Sequence, residues 1–159
     1  PRLMGSSCSA ALSESIRHLQ SSGIIEDDSA TGSLSAKLLE AARRGDAERA
    51  RACLLEGASA DHADSDGWAP LHYGASAGHA EVCRLLLEFQ ADANAALPDL
   101  STPLMLAVEE AHIHVAKLLL EGGALAKCKD EDGFTAATRC DKSVQDEFRR
   151  LTSALESEP

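Results

Sequence analysis

Apolar residues along this chain fall in short clusters, and the clusters recur. The segment GWAPLHYGASAGHAEVCRLLLEFQADANA from Gly67 lines up with LSTPLMLAVEEAHIHVAKLLLEGGALAKC from Leu100 at a constant offset of 33 residues. Pro70 falls on Pro103, Leu71 on Leu104, His79 on His112, Val82 on Val115, and Leu85, Leu86 and Leu87 on Leu118, Leu119 and Leu120. The same step leads back from Gly78 and Ala91 to Gly45 and Ala58, and two steps lead forward from Gly67 to Gly133. Two full units are therefore flanked by two partial ones.

The units share one grammar. A turn carrying Asp and Gly (Asp64 to Gly67, Asp130 to Gly133) supplies the backbone freedom of a tight reversal. Pro70 and Pro103 stand where a helix begins, the position at which the missing N–H of proline is harmless. A short helix is expected next, broken near Gly45 or Gly78, and then a second helix with the Leu-rich stripe. Neither helix can cover its apolar face alone, so each unit has to stack on a neighbour. In the last unit Val144, Phe148, Leu151 and Leu155 recur at helical spacing among charged residues, which suits a terminal helix with one face in water.

These residues resemble the ankyrin repeat family, whose period is 33 and whose signature is T-P-L-H-x-A. The resemblance rests on Ala69-Pro70-Leu71-His72, Gly78-His79, Leu85 to Leu87 and Ala91-Asp92-Ala93-Asn94, then Thr102-Pro103-Leu104-Met105, Ala107, Leu118 to Leu120 and Gly123-Ala124. It implies an all-α solenoid of helix-turn-helix units joined by β-hairpin-like loops, about 3.5 to 4 repeats long. The expected units span about 36–63, 64–96, 97–129 and 130–157, within a repeat domain of 36–157. The family's signature Thr and His tie the hairpin to the first helix. Here the second unit has His72 without Thr, the third Thr102 without His, and the fourth Thr135 with neither Pro nor His.

Composition agrees with helices. The 159 residues include 28 Ala and 22 Leu against four Ile and four Val, too few β-branched residues for a large sheet. Residues 1–35, with ten serines, read as a flexible serine-rich segment, with Leu12, Ile16 and Leu19 marking one short helical stripe. A formal charge of −11 disfavours nucleic acid and anionic membrane as partners. No apolar run reaches the roughly 20 residues of a membrane span. Cys8, Cys53, Cys83, Cys128 and Cys140 form no CxxC pair and are expected to be reduced thiols, in a cytoplasmic or nuclear protein. The chain begins with Pro1, as a piece of something longer would.

Candidate chemistry is sparse. His72, His79 and His112 occupy scaffold positions of the family, and His112 and His114 lie on different faces of a helix without a ligand-spaced Cys or carboxylate. GxSxG, phosphate-cradling and HExxH motifs are missing, and Glu109-Glu110 falls on an open surface. We expect no catalysis, no cofactor and no metal.

What the resemblance implies instead is protein binding on a concave face by a monomer, with the chain acting as adaptor, inhibitor or targeting module. The expected contact residues are the hairpin tips Ser65, Asp66 and Trp68, Pro98, Asp99 and Ser101, and Glu131, Asp132 and Phe134. The ends of the first helices add Arg43, Arg44, Ser76, Ala77, Glu109 and Glu110. Trp68 and Phe134 share one tip position and can anchor a partner or fold back over the neighbouring hairpin. The acidic stretch would steer a basic partner segment. Asn94, the chain's single asparagine, resembles a hydroxylation site of the family or simply stabilises its turn. The alternative function is a regulatory segment of a larger enzyme or channel.

Overall fold

The computed structural model describes residues 31–157, so Cys8 and the stripe of Leu12, Ile16 and Leu19 lie outside the described residues. Among the described residues seven α-helices follow one another: α1 (Thr31–Arg44), α2 (Ala47–Leu55), α3 (Pro70–Ala77), α4 (Ala80–Glu88), α5 (Pro103–Glu109), α6 (Ile113–Glu121) and α7 (Lys142–Glu156). A 3-10 turn at Ala136–Thr138 stands where the fourth unit would carry its first helix. The described residues contain no strand. The first helix starts at Thr31, inside the serine-rich stretch and ahead of residue 36.

Helix starts are set locally. Asp46 caps α2 by accepting the Arg49 amide on its carboxylate at 3.0 Å. Pro70 and Pro103 are the first residues of α3 and α5. Ala136 takes that position in the last unit. Without a pre-set proline φ, and with Asp141 opening α7 three residues after Thr138, only a single 3-10 turn forms there.

Packing runs between neighbours. α1 rests on α3, α3 on α5 and α5 on the 3-10 turn, while α2 rests on α4, α4 on α6 and α6 on α7. The core consists of columns at the repeat spacing. Leu38, Leu71 and Leu104 form one, Ala42, Ala75 and Val108 a second, Cys53, Leu86 and Leu119 a third, and Val82, Val115 and Phe148 a fourth; all are buried. Each apolar face is covered only because the next unit is present, the condition for a solenoid. Phe148 is buried whereas Val144, Leu151 and Leu155 are partly exposed, so α7 closes the stack with one face toward water.

A second set of contacts locks the units. The His79 ring lies over Gly45, and the His112 ring over Gly78. A Cβ on either glycine would come within 2.6–2.7 Å of the ring, and both backbones are left-handed, at φ +76° and +78°. In the next unit Gln145 stands in the histidine slot, and the glycine is replaced by Ala111, which keeps a left-handed φ of 61°.

Cys53 and Cys83 are buried free thiols. Burial pushes Cys83 up to about 12, so it remains protonated and unreactive.

Candidate functional site

The tips of the second and fourth units are built identically in their backbones. Asp64 Oδ1 accepts the amides of Asp66 and Trp68 at 3.0 and 2.9 Å, and the Asp64 amide donates to the Trp68 carbonyl. Asp130 Oδ1 accepts the amides of Asp132 and Phe134 at 3.1 and 2.8 Å, and the Asp130 amide donates to the Phe134 carbonyl. Glycine precedes each aromatic, with Gly67 at φ +86° and Gly133 at φ +85°. In the third unit Leu97 replaces the aspartate, and Asp99 takes over by accepting the Ser101 amide and hydroxyl.

The side chains at these tips differ because of a residue further along. Tyr73 and Arg139 occupy the same repeat position. The Tyr73 hydroxyl donates to Asp64 Oδ2, and Trp68 packs on the Tyr73 ring with centroids 5.0 Å apart and on His72 at 6.1 Å. Arg139 instead reaches Asp130 at 3.4 Å, Glu109 at 3.7 Å and the Ser101 hydroxyl at 2.7 Å. With an arginine turned toward carboxylates where Trp68 finds a ring, Phe134 is left 51% exposed. Trp68 is half-buried.

Ser65, Asp66, Pro98, Glu131 and Asp132 are exposed at the tips, and Asp99 is half-buried. Arg43 and Arg44 end α1, Ser76 and Ala77 end α3, and Glu109 and Glu110 close α5; all but the half-buried Ser76 are exposed. Arg44 is paired with Glu40 one turn earlier. Ser101 corrects the expectation of an available tip residue. It is 1% exposed, because its hydroxyl is drawn between Asp99 and Arg139.

Bonds between units run through the third and fourth tips and through the loops ahead of the tips. The Glu131 amide donates to the Asp99 carbonyl, and the Asp92 amide to Asp61 Oδ1 at 2.8 Å. Asn94, at the Asp61 position, accepts the Leu125 amide at 2.8 Å and donates to the Gly123 carbonyl at 3.1 Å. His72 accepts the Ala69 amide on Nδ1, and its Nε2 contacts the Ala95 carbonyl at 3.0 Å. An Nε2–H tautomer satisfies both bonds. Thr138, at the position of His72, accepts the Thr135 amide at 2.8 Å and so repairs the missing signature in the fourth unit.

Charge is held firmly here. Burial works against ionisation of Asp64, but the Tyr73 hydroxyl and the Trp68 and Asp66 amides outweigh it and keep its carboxyl below the usual range. Asp99 is lowered in the same way, its burial offset by the Ser101 bonds and the Arg139 charge. Burial drives the His72 imidazole down to about 4, so it is neutral near pH 7. Among the described residues no three His, Cys, Asp or Glu side chains converge on one point, and no helix is long and apolar enough to cross a membrane.

Stacked helix pairs, each packed on the next, define a repeat solenoid. A family model of ankyrin repeats matches residues 38–140 in three copies, and the chain belongs to that family. Ankyrin repeats generally mediate protein–protein interaction, and domains of this kind are typically non-catalytic. No curated protein matches the chain at a significant level.

Proposed function

We propose that this chain is a non-catalytic recognition module that binds a basic segment of another protein across its hairpin tips and first-helix ends. The observation that carries this reading is the set of exposed carboxylates at the tips, Asp66, Glu131 and Asp132, and at the end of α5, Glu109 and Glu110. Tips ordered before binding reduce the entropy lost on association, and like charges accelerate encounter with a basic partner. Partner capture is the mode in which such a surface serves as adaptor, inhibitor or targeting device.

The test is affinity capture from a cell extract with the wild type and with a variant carrying Asp66→Asn, Glu109→Gln, Glu110→Gln, Glu131→Gln and Asp132→Asn. All five side chains are exposed, so the fold should persist. Loss of specific partners from the variant, and their release by moderate salt, is expected. Capture of the same partners in equal amounts would reject this surface.

A further inference from the structure

Trp68 and Phe134 are presented by turns with the same hydrogen-bond pattern two repeats apart. Each follows a left-handed glycine and is bonded through its amide to a turn aspartate, with an exposed carboxylate, Asp66 or Asp132, two residues before it. The unit between them offers no ring, because its corresponding residue is the buried Ser101. Phe134 is exposed and Trp68 half-buried against Tyr73, and an aromatic face with a carboxylate on the same turn attracts a cation through both the ring quadrupole and the charge. Two such tips with an empty register between them set a spacing.

Resting on the proposed recognition of a basic segment, we infer that Trp68 with Asp66 and Phe134 with Asp132 are paired cation subsites that read two Lys or Arg residues of one extended partner chain. Neighbouring helices pack about 8–10 Å apart, so tips two units apart lie about 16–20 Å from one another. An extended chain rising about 3.3 Å per residue crosses that gap in about five or six residues. The two subsites then act as linked modules, the second cation binding at the effective concentration set by the first.

The chain's single tryptophan is Trp68, so its fluorescence reports directly on one subsite. The probes are Gly/Ser peptides bearing two Arg about six residues apart, two Arg about three apart, or one Arg. Each is titrated at low salt against the full chain and against its Phe134→Ala and Asp132→Asn variants. Phe134 and Asp132 are exposed and distant in sequence from the reporter, so these changes leave Trp68 in place. The expected result is that the widely spaced peptide binds tightest, and that each variant weakens it about threefold or more as read at Trp68. The one-Arg peptide should bind all three proteins alike. Equal affinity for both spacings, or a Phe134→Ala change that leaves the widely spaced peptide unaffected, overturns the paired subsites. In that event, binding that salt still abolishes leaves the acidic surface standing. Failure of every basic peptide to perturb Trp68 also overturns the pairing, while the capture experiment separately decides the recognition surface.

Discussion

Arg139 meets Asp130 at the same two repeat positions through which Tyr73 meets Asp64. One position pair thus holds the hairpin to the first segment of its unit by a phenol in one case and a guanidinium in the other. In the third unit the pair is Leu97 and Leu106, without a polar bond to make. Asp130 is nearly buried, with 3% of its side chain exposed, and Arg139 is the cation paired with it.

Arg139→Met should therefore free Asp130, Glu109 and Ser101 at once. We expect a loss of about 1–3 kcal/mol, the usual consequence of stranding a buried polar partner. Faster hydrogen exchange in α7 than in α1 to α4 would localise the damage to the last unit. Uniform exchange in the variant and the wild type would contradict the assignment.

The His72 ring gives stability a pH dependence. Its folded pKa of about 4 lies below the ordinary histidine value of about 6.5, so the unfolded chain takes up the proton first as pH falls. This contribution is complete above about pH 6.5 and declines toward pH 4, by roughly 3 kcal/mol in all. Denaturant midpoints measured between pH 7 and pH 4.5 should fall more steeply for the wild type than for His72→Gln, which cannot titrate. Parallel curves would show that His72 carries no such penalty.

Much of this could be read from the residues before any coordinates. A period of 33 placed Leu71 on Leu104 and Pro70 on Pro103, and buried columns and helix starts follow directly. What escaped were partners chosen by side-chain direction. Nothing in the alignment of units says that Tyr73 covers Asp64 and Trp68, that Arg139 gathers Ser101 inward, or that Thr138 does the work of His72 at its helix start. A comparison of positions 73, 106 and 139 would have raised the question, since Tyr, Leu and Arg in one slot require three different surroundings. The start of α1 at Thr31 was hidden by a serine-rich composition that suits a flexible segment as well as a helix entrance.

Ala111 and Gly78 offer a matched pair of substitutions. Ala111 keeps a left-handed backbone and stands where Gln145 replaces the stacking histidine, so Ala111→Gly should stabilise the fold by about 0.5–1 kcal/mol. Gly78→Ala adds both the strained φ and a Cβ at 2.7 Å from the His112 ring. It should cost about 2 kcal/mol or more. Thermal melting of the two variants should move in opposite directions.

Asn94 joins two units through both ends of its amide. Asn94→Ala is expected to cost about 1–2 kcal/mol and to loosen the loop at Gly123 to Leu125, readable as faster exchange of the Leu125 amide. The turn role is the one we expect of Asn94 over hydroxylation. A mass increment of one oxygen atom on the peptide containing Asn94, isolated from native material, would show the modification instead.

The most direct test of recognition at the tips is a hydrogen-exchange footprint of the chain bound to its most strongly captured partner. Protection should appear at the turns around Asp66 to Trp68 and Glu131 to Phe134 and at the end of α5, with the exposed residues of α2, α4 and α6 unchanged. Protection confined to those second helices, with the tips exchanging as in the free protein, would contradict the account.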